Sequence, residues 1–139
     1  MRKLFIFILF PALISACSKE ENTPMDDLND PGIPTGMVLA QGVFSGTSSY
    51  QVTGSVKYIE ANGAKTLRFE NFISSNGPDL KVYLAKDVNA VNFISLGVLK
   101  STSGNQNYNV TGMPDISQYK YALIWCQQFG VLFGSAQLK

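Results

Sequence analysis

The chain has 139 residues, 45% of them hydrophobic and 15% charged, with a formal net charge of +1 and no histidine. Without imidazole it lacks the two histidines of a blue-copper site, the histidine usual at catalytic zinc, and the base of serine and cysteine hydrolases. Its lysines and arginines form no basic cluster of the kind that binds nucleic acid.

Residues 1–16 begin with Arg2 and Lys3 and continue as an apolar stretch over 4–14, interrupted only by Pro11. That stretch is too short to span a bilayer as a helix and predicts a secretory signal. It closes on Ile14-Ser15-Ala16-Cys17, which is similar to the bacterial lipobox, where small residues precede a cysteine that takes a diacylglyceryl group before cleavage. Cys17 is therefore the expected lipidation site and first mature residue; the alternative is an ordinary signal peptide with a chance cysteine. One acyl chain anchors only marginally, but the three chains of a bacterial lipoprotein hold permanently. Ser18-Lys19-Glu20-Glu21 is similar to the acidic signals that send some Gram-negative lipoproteins to the cell surface. The expected location is the bacterial cell envelope, lipid-anchored in the outer membrane, with the membrane as a partner.

Residues 17–36 hold Glu20, Glu21, Asp26, Asp27 and Asp30 together with Pro24, Pro31 and Pro34. Such a composition buries too little apolar surface to offset chain entropy and predicts a flexible acidic tether. By segment the charge is +2 in the signal, −4 in the tether and +3 over 37–139, where the charged residues are spread singly as on an ordinary solvated surface.

Residues 37–139 are the size of one domain, and their hydrophobic pattern has period two. Val38 and Ala40, with Val43-Phe44, open a strand; Tyr50, Val52, Gly54, Val56 and Tyr58 alternate with polar residues. Asn62-Gly63 then predicts a hairpin turn before 66–72, which places Leu67 and Phe69 on one face. Leu80, Val82 and Leu84 alternate with Lys81 and Tyr83, 94–99 is a short apolar run, and 106–110 carries Tyr108 and Val110. The chain closes with 121–126 and with Phe129, Val131 and Phe133, where Gly130 and Gly134 mark bends. About eight strands and no amphipathic helix predict an all-β fold, a single antiparallel sandwich or barrel-like domain.

Six blocks in this domain carry a resemblance: Gly42-Val43-Phe44, 67–72, Gly77-Pro78-Asp79 with the strand to Leu84, 96–100, Gly104 to Tyr108, and Ile124-Trp125-Cys126 continuing through Phe133 to Leu138. In order and spacing they resemble the DM13 domain over about 39–138. That family occurs in bacterial envelope proteins and, in animals, beside haem-binding DOMON domains. The resemblance implies a role in electron transfer centred on the family's cysteine, here Cys126, acting as a bare thiol or holding a prosthetic group, with an envelope redox partner. Trp125 stands beside it.

The residues themselves leave Cys126 open. A thiol reacts as thiolate, and cations, a helix N-terminus or a second cysteine lower its pKa from about 8.5. Lys120 is six residues back along an extended strand, roughly 20 Å away, and with Cys17 lipidated no internal disulfide can form. A redox cycle would need sulfenic acid, a partner's thiol or a bound cofactor; the alternative is a small buried hydrophobe. Parity places Ile124 and Cys126 on one face and Leu123 and Trp125 on the other, so this is a central strand. No cofactor is required by the sequence, although haem could bind through Cys126, Met37 or Met113.

Asp79 is a candidate loop ligand with Asn76 and Asn71 as neighbouring oxygens; the preferred reading is a turn in which its carboxylate bonds backbone amides. No metal site is assigned. Tyrosines at 50, 58, 83, 108, 119 and 121 could stack on a glycan or simply fill strands. Glu60, Glu70, Asp79, Asp87 and Asp115 lie singly, whereas a glycosidase holds two carboxyls about 5 to 10 Å apart. No catalytic residue is assigned. Two functions follow: an envelope-anchored redox or electron-transfer domain centred on Cys126, or a non-catalytic surface module binding a glycan or protein.

Overall fold

The fold is a computed structural model that describes Asn29, Asp30, Gly32 and residues 34–139. The signal, Cys17, the 18–21 motif and most of the tether lie outside the described residues.

Asn62 and Gly63 take φ values of 51° and 77°, the left-handed pair that a two-residue hairpin needs to match strand twist. They join β3 (Val52–Ala61) to β4 (Ala64–Ser74), with Ala61 opposite Ala64. Farther along the hairpin the register shifts between Thr53 and Ser55, where Gly54 has φ 111° and faces Asn71, itself at φ 50°. A β-carbon on Gly54 would stand 2.8 Å from both the Asn71 carbonyl oxygen and the Phe72 α-carbon. This bulge bends the hairpin, and Val52, Phe69 and Phe72 all remain buried in the core on either side of it.

β1 (Met37–Val43) pairs with β3, and β7 (Ser103–Val110) pairs with β4, giving a four-stranded antiparallel sheet in the order β1-β3-β4-β7. The second sheet combines β2 (Ser45–Gly46), β5 (Leu80–Ala85), β6 (Phe93–Val98), β8 (Tyr121–Cys126) and β9 (Val131–Gln137) in the order β2-β9-β8-β5-β6. The described chain is thus all-β, with nine strands in two packed sheets that do not close into a barrel. The strand beyond the eight expected is β2, two residues long and too short to carry a period-two signal.

Between β1 and β2 the chain passes from one sheet to the other at Phe44. Its ring meets Phe69 edge-on at 4.9 Å and Phe72 at 5.3 Å, an arrangement suited to aromatic quadrupoles. Around this trio pack Val52, Val56, Leu80, Val82, Leu84, Ile124 and Phe133; burying each such side chain contributes about 1.5–3 kcal/mol. The core also admits polar groups where they are bonded. Gln106, fully buried, accepts from the Tyr108 hydroxyl at 2.6 Å and donates to the Ser101 carbonyl at 2.8 Å.

A second apolar layer covers the outer face of the five-stranded sheet. Tyr83, Ala85 and Leu123 are buried there beneath Ala90, Tyr121, Trp125 and Leu132. Tyr83 stacks on Phe93 at 4.0 Å, with Trp125 next in line at 6.4 Å. Both faces of β8 are therefore apolar, as a strand flanked by β5 and β9 requires.

Candidate functional site

Cys126 is the last residue of β8, paired across to Leu80 on β5 and Val131 on β9. Ala122, Ile124 and Cys126 point inward by strand alternation, and the thiol joins the inter-sheet core with no exposed surface. Immediately beyond it the chain turns back. The Gln127 amide donates to the Asp79 carbonyl at 2.9 Å and the Gly130 amide to the Cys126 carbonyl at 2.9 Å, with Gly130 at φ 63°. The sulfur is thus sealed by side chains yet sits at a strand end, one residue from a turn whose Phe129 is 60% exposed.

Trp125 faces the other way. It lies opposite Lys81 on the outer face, beside Tyr83. Lys81 holds Asp79 in an ion pair of 2.9 Å. The expected turn is present at Pro78 and Asp79, directly before β5, but the carboxylate pairs with Lys81 two residues on rather than with turn amides. Asn76 supplies the local turn bond instead, its side-chain oxygen accepting from the Gly77 amide at 2.8 Å. Burial, and secondarily the Asp79 charge, pushes the Tyr83 hydroxyl above its ordinary value. Of the sequence candidates, Trp125 and Asp79 therefore share the outer face, linked by Lys81 and Tyr83, while Cys126 lies inside. The sequence offers Tyr83 only as one of six tyrosines that stack on a glycan or fill strands, and it gives Lys81 no role, because both alternate with the core residues of β5 as a solvated face does.

Met37 and Met113 are 69% and 72% exposed and neither belongs to the core cluster of Cys126. A prosthetic group does not fit at that sulfur. Leu80, Ile124 and Phe133 in the same core cluster are at most 1% exposed, and Cys126 lines neither the depression beside Tyr50 nor the two beside β1. Among the described residues no three cysteine, aspartate or glutamate side chains gather where they could hold a metal ion.

The tyrosines do not form an exposed row. Tyr58, Tyr83 and Tyr108 are buried, and Tyr50 lies flat on Phe133 at 3.7 Å. Beside Tyr50 opens a depression of about 630 Å³ lined by Ser45, Thr47, Ser48, Ser49, Thr53 and Ser75 among others. Smaller ones flank β1 at Val43 and Lys57 and at Val38 and Lys139.

The described residues form a two-sheet antiparallel sandwich with one thiol among them, at the end of a central strand. The chain belongs to the DM13 family: residues 44–138, more than half of its length, match the family described as Electron transfer DM13. No curated protein and no solved structure matches the chain.

Proposed function

We propose that this is an electron-transfer domain of the bacterial envelope, lipid-anchored through Cys17, whose redox group is the Cys126 thiol gated by the turn that follows it. The family assignment supports the electron-transfer role. The observation that carries the gate is the position of Cys126: fully buried, but at the end of β8 beside the 127–130 turn. Fraying of that turn exposes the thiol without dismantling either sheet, because local opening at element ends costs far less than global unfolding. Oxidation then takes the form of a two-electron step. A hydroperoxide's distal oxygen accepts attack by the thiolate, the O–O bond breaks, the sulfur becomes sulfenic acid and water or an alcohol leaves. A partner's dithiol returns the electrons: its first thiol condenses with the sulfenic acid, releasing water and leaving a mixed disulfide, and its second thiol breaks that bond, freeing the Cys126 thiol and closing the partner's own disulfide. The test is mass analysis of the peptide carrying Cys126 after exposure to hydrogen peroxide, because the exposed Met37 and Met113 also take up one oxygen: a one-oxygen adduct on Cys126, absent from Cys126→Ser and reversed by a dithiol, is the expected result. A thiol that gains no oxygen below the unfolding transition counts against the role.

A second reading, a surface module for a glycan or protein, is favoured by the hydroxyl-lined depression beside Tyr50. It requires that ligand binding respond to substitutions in that depression and be indifferent to Cys126.

A further inference from the structure

Arg68 carries a full charge on the outer face of the four-stranded sheet yet is only 2% exposed. Leu67 and Phe69 on either side of it are in the core, so its side chain projects from the opposite face. The N-terminal chain covers it there. The Arg68 guanidinium donates to the main-chain oxygens of Asp30 at 3.2 Å and Gly32 at 3.4 Å, to Asn107 Oδ1 at 3.1 Å, and to Glu70 at 3.3 Å. The Asn107 side-chain amide donates to Asp30 Oδ2 at 3.0 Å and to the Gly32 carbonyl at 2.6 Å. Asn105 completes the set: its carbonyl accepts from the Asp30 amide at 2.8 Å and its side-chain amide donates to Asn29 Oδ1 at 2.9 Å. Gly36, farther along, approaches β3 so closely that a β-carbon would fall 2.2 Å from the Glu60 carbonyl oxygen.

We propose that Arg68, Asn105 and Asn107 form a peptide-binding site for an extended segment offering two carbonyls and a carboxylate, filled here by the chain's own Asn29, Asp30 and Gly32, and that it acts as a releasable clamp on the tether. The described contacts are hydrogen bonds at the sheet surface, with the core elsewhere, which puts this segment at the low-stability end of the structure. Its ligand groups are main-chain oxygens, one main-chain amide, one carboxylate and the Asn29 side-chain oxygen, so an extended acidic peptide of like spacing competes for it. With the lipid anchor at Cys17, on which this consequence rests, a closed clamp leaves residues 18–28 as the linker and an open one leaves 18–36. At full extension the two reach about 40 Å and about 65 Å. The clamp lies on the outer face of one sheet and Trp125 on the outer face of the other.

Hydrogen exchange of the full chain reads the clamp directly. The Asp30 amide is expected to exchange at least about tenfold more slowly than an unstructured amide, yet at least about a hundredfold faster than the β5 amides of the core. Asn107→Ala and, separately, Asp30→Ala should bring the amide at position 30 to the unstructured rate while β5 stays protected. An unprotected amide in the parent chain, protection equal to that of the core, or protection unchanged in both variants would each overturn the proposal. Metabolic labelling with a fatty acid tests the anchor separately, so failure of the lipid reading is distinguishable from failure of the clamp.

Discussion

Cys126 and Trp125 are consecutive in β8 and look into different layers. Cys126 sits in the inter-sheet core beside Leu80, and Trp125 lies on the outer face opposite Lys81, its ring 6.4 Å from that of Tyr83. They do not form one site. A change at the thiol is felt by the core, and a change at the indole by the outer layer.

At Cys126 the surroundings are apolar, so removing the sulfur should cost less than replacing it with a hydroxyl. Cys126→Ala is expected to lower stability by about 1 kcal/mol, and Cys126→Ser by about 1–3 kcal/mol, because the hydroxyl is buried among groups that offer it little. Urea midpoints of the two variants check the order. A serine variant as stable as the parent would place the side chain in a polar setting.

Gly54 and Gly63 separate two reasons for needing glycine. Both have positive φ, but a β-carbon on Gly63 meets nothing within 4 Å, whereas on Gly54 it meets Asn71 and Phe72 backbone at 2.8 Å. Gly63→Ala should cost about 1–2 kcal/mol from backbone strain alone. Gly54→Ala adds displacement of the partner strand and should cost more, which thermal melts of the two variants would show.

Much of this architecture is legible in the residues. Alternation in 52–58 and 80–84 marks the core faces, Asn62-Gly63 marks the hairpin, and the apolar residues on both sides of 121–126 mark a central strand. The bulge is not legible, because a glycine in an alternating strand has the same spacing whether or not the partner slips. Gln106 has the polarity of a surface residue and becomes internal only because Tyr108 and Ser101, brought close by the β6–β7 connection, satisfy it. Arg68 and Asp30 are 38 residues apart, and composition alone gives no sign that the end of an acidic tether covers a strand. At the site, parity assigns Cys126 and Ile124 to one face correctly; that this face is the sealed one depends on the whole second sheet.

The hydroxyl of Tyr58 is buried and finds no hydrogen-bond partner among the described residues. An unsatisfied buried polar group costs about 1–3 kcal/mol. Tyr58→Phe keeps the ring and removes that cost, so it should leave stability unchanged or raise it, in contrast to Tyr108→Phe. The Tyr108 hydroxyl accepts from the Lys100 amide at 2.9 Å and donates to Gln106 at 2.6 Å, and its loss should destabilise by about 1–3 kcal/mol. Chemical denaturation of the pair tests the contrast.

The same tyrosines set the alkaline limit. Burial pushes Tyr58, Tyr83 and Tyr108 above the usual tyrosine range, helped by Glu60 at Tyr58 and Asp79 at Tyr83 and opposed at Tyr108 by the Lys100 amide bond. The unfolded chain releases these protons near pH 10 while the folded chain still holds them, so stability is intact below about pH 10 and falls as pH rises further. At the acid end Glu70 is held below its ordinary value, chiefly by its hydrogen bond to Lys57 at 2.7 Å. Its contribution is present above the unfolded carboxylate pKa and is lost as pH falls through the folded one. Because the pair is partly exposed, Glu70→Gln should remove less than about 1 kcal/mol of that acid dependence. Ultraviolet titration of phenolate and pH-dependent melts measure the two ends.

A thiol that is sealed but gated differs from one that is only core packing in how fast it is labelled under native conditions. In a Cys17→Ser chain, where Cys126 is the sole cysteine, a thiol-reactive chromophore is added over a series of low urea concentrations. Native labelling is expected to be slow, yet well above the rate set by global unfolding and nearly independent of urea, because only the 127–130 turn opens. Labelling that tracks global unfolding throughout would contradict the gate and leave Cys126 as core packing alone.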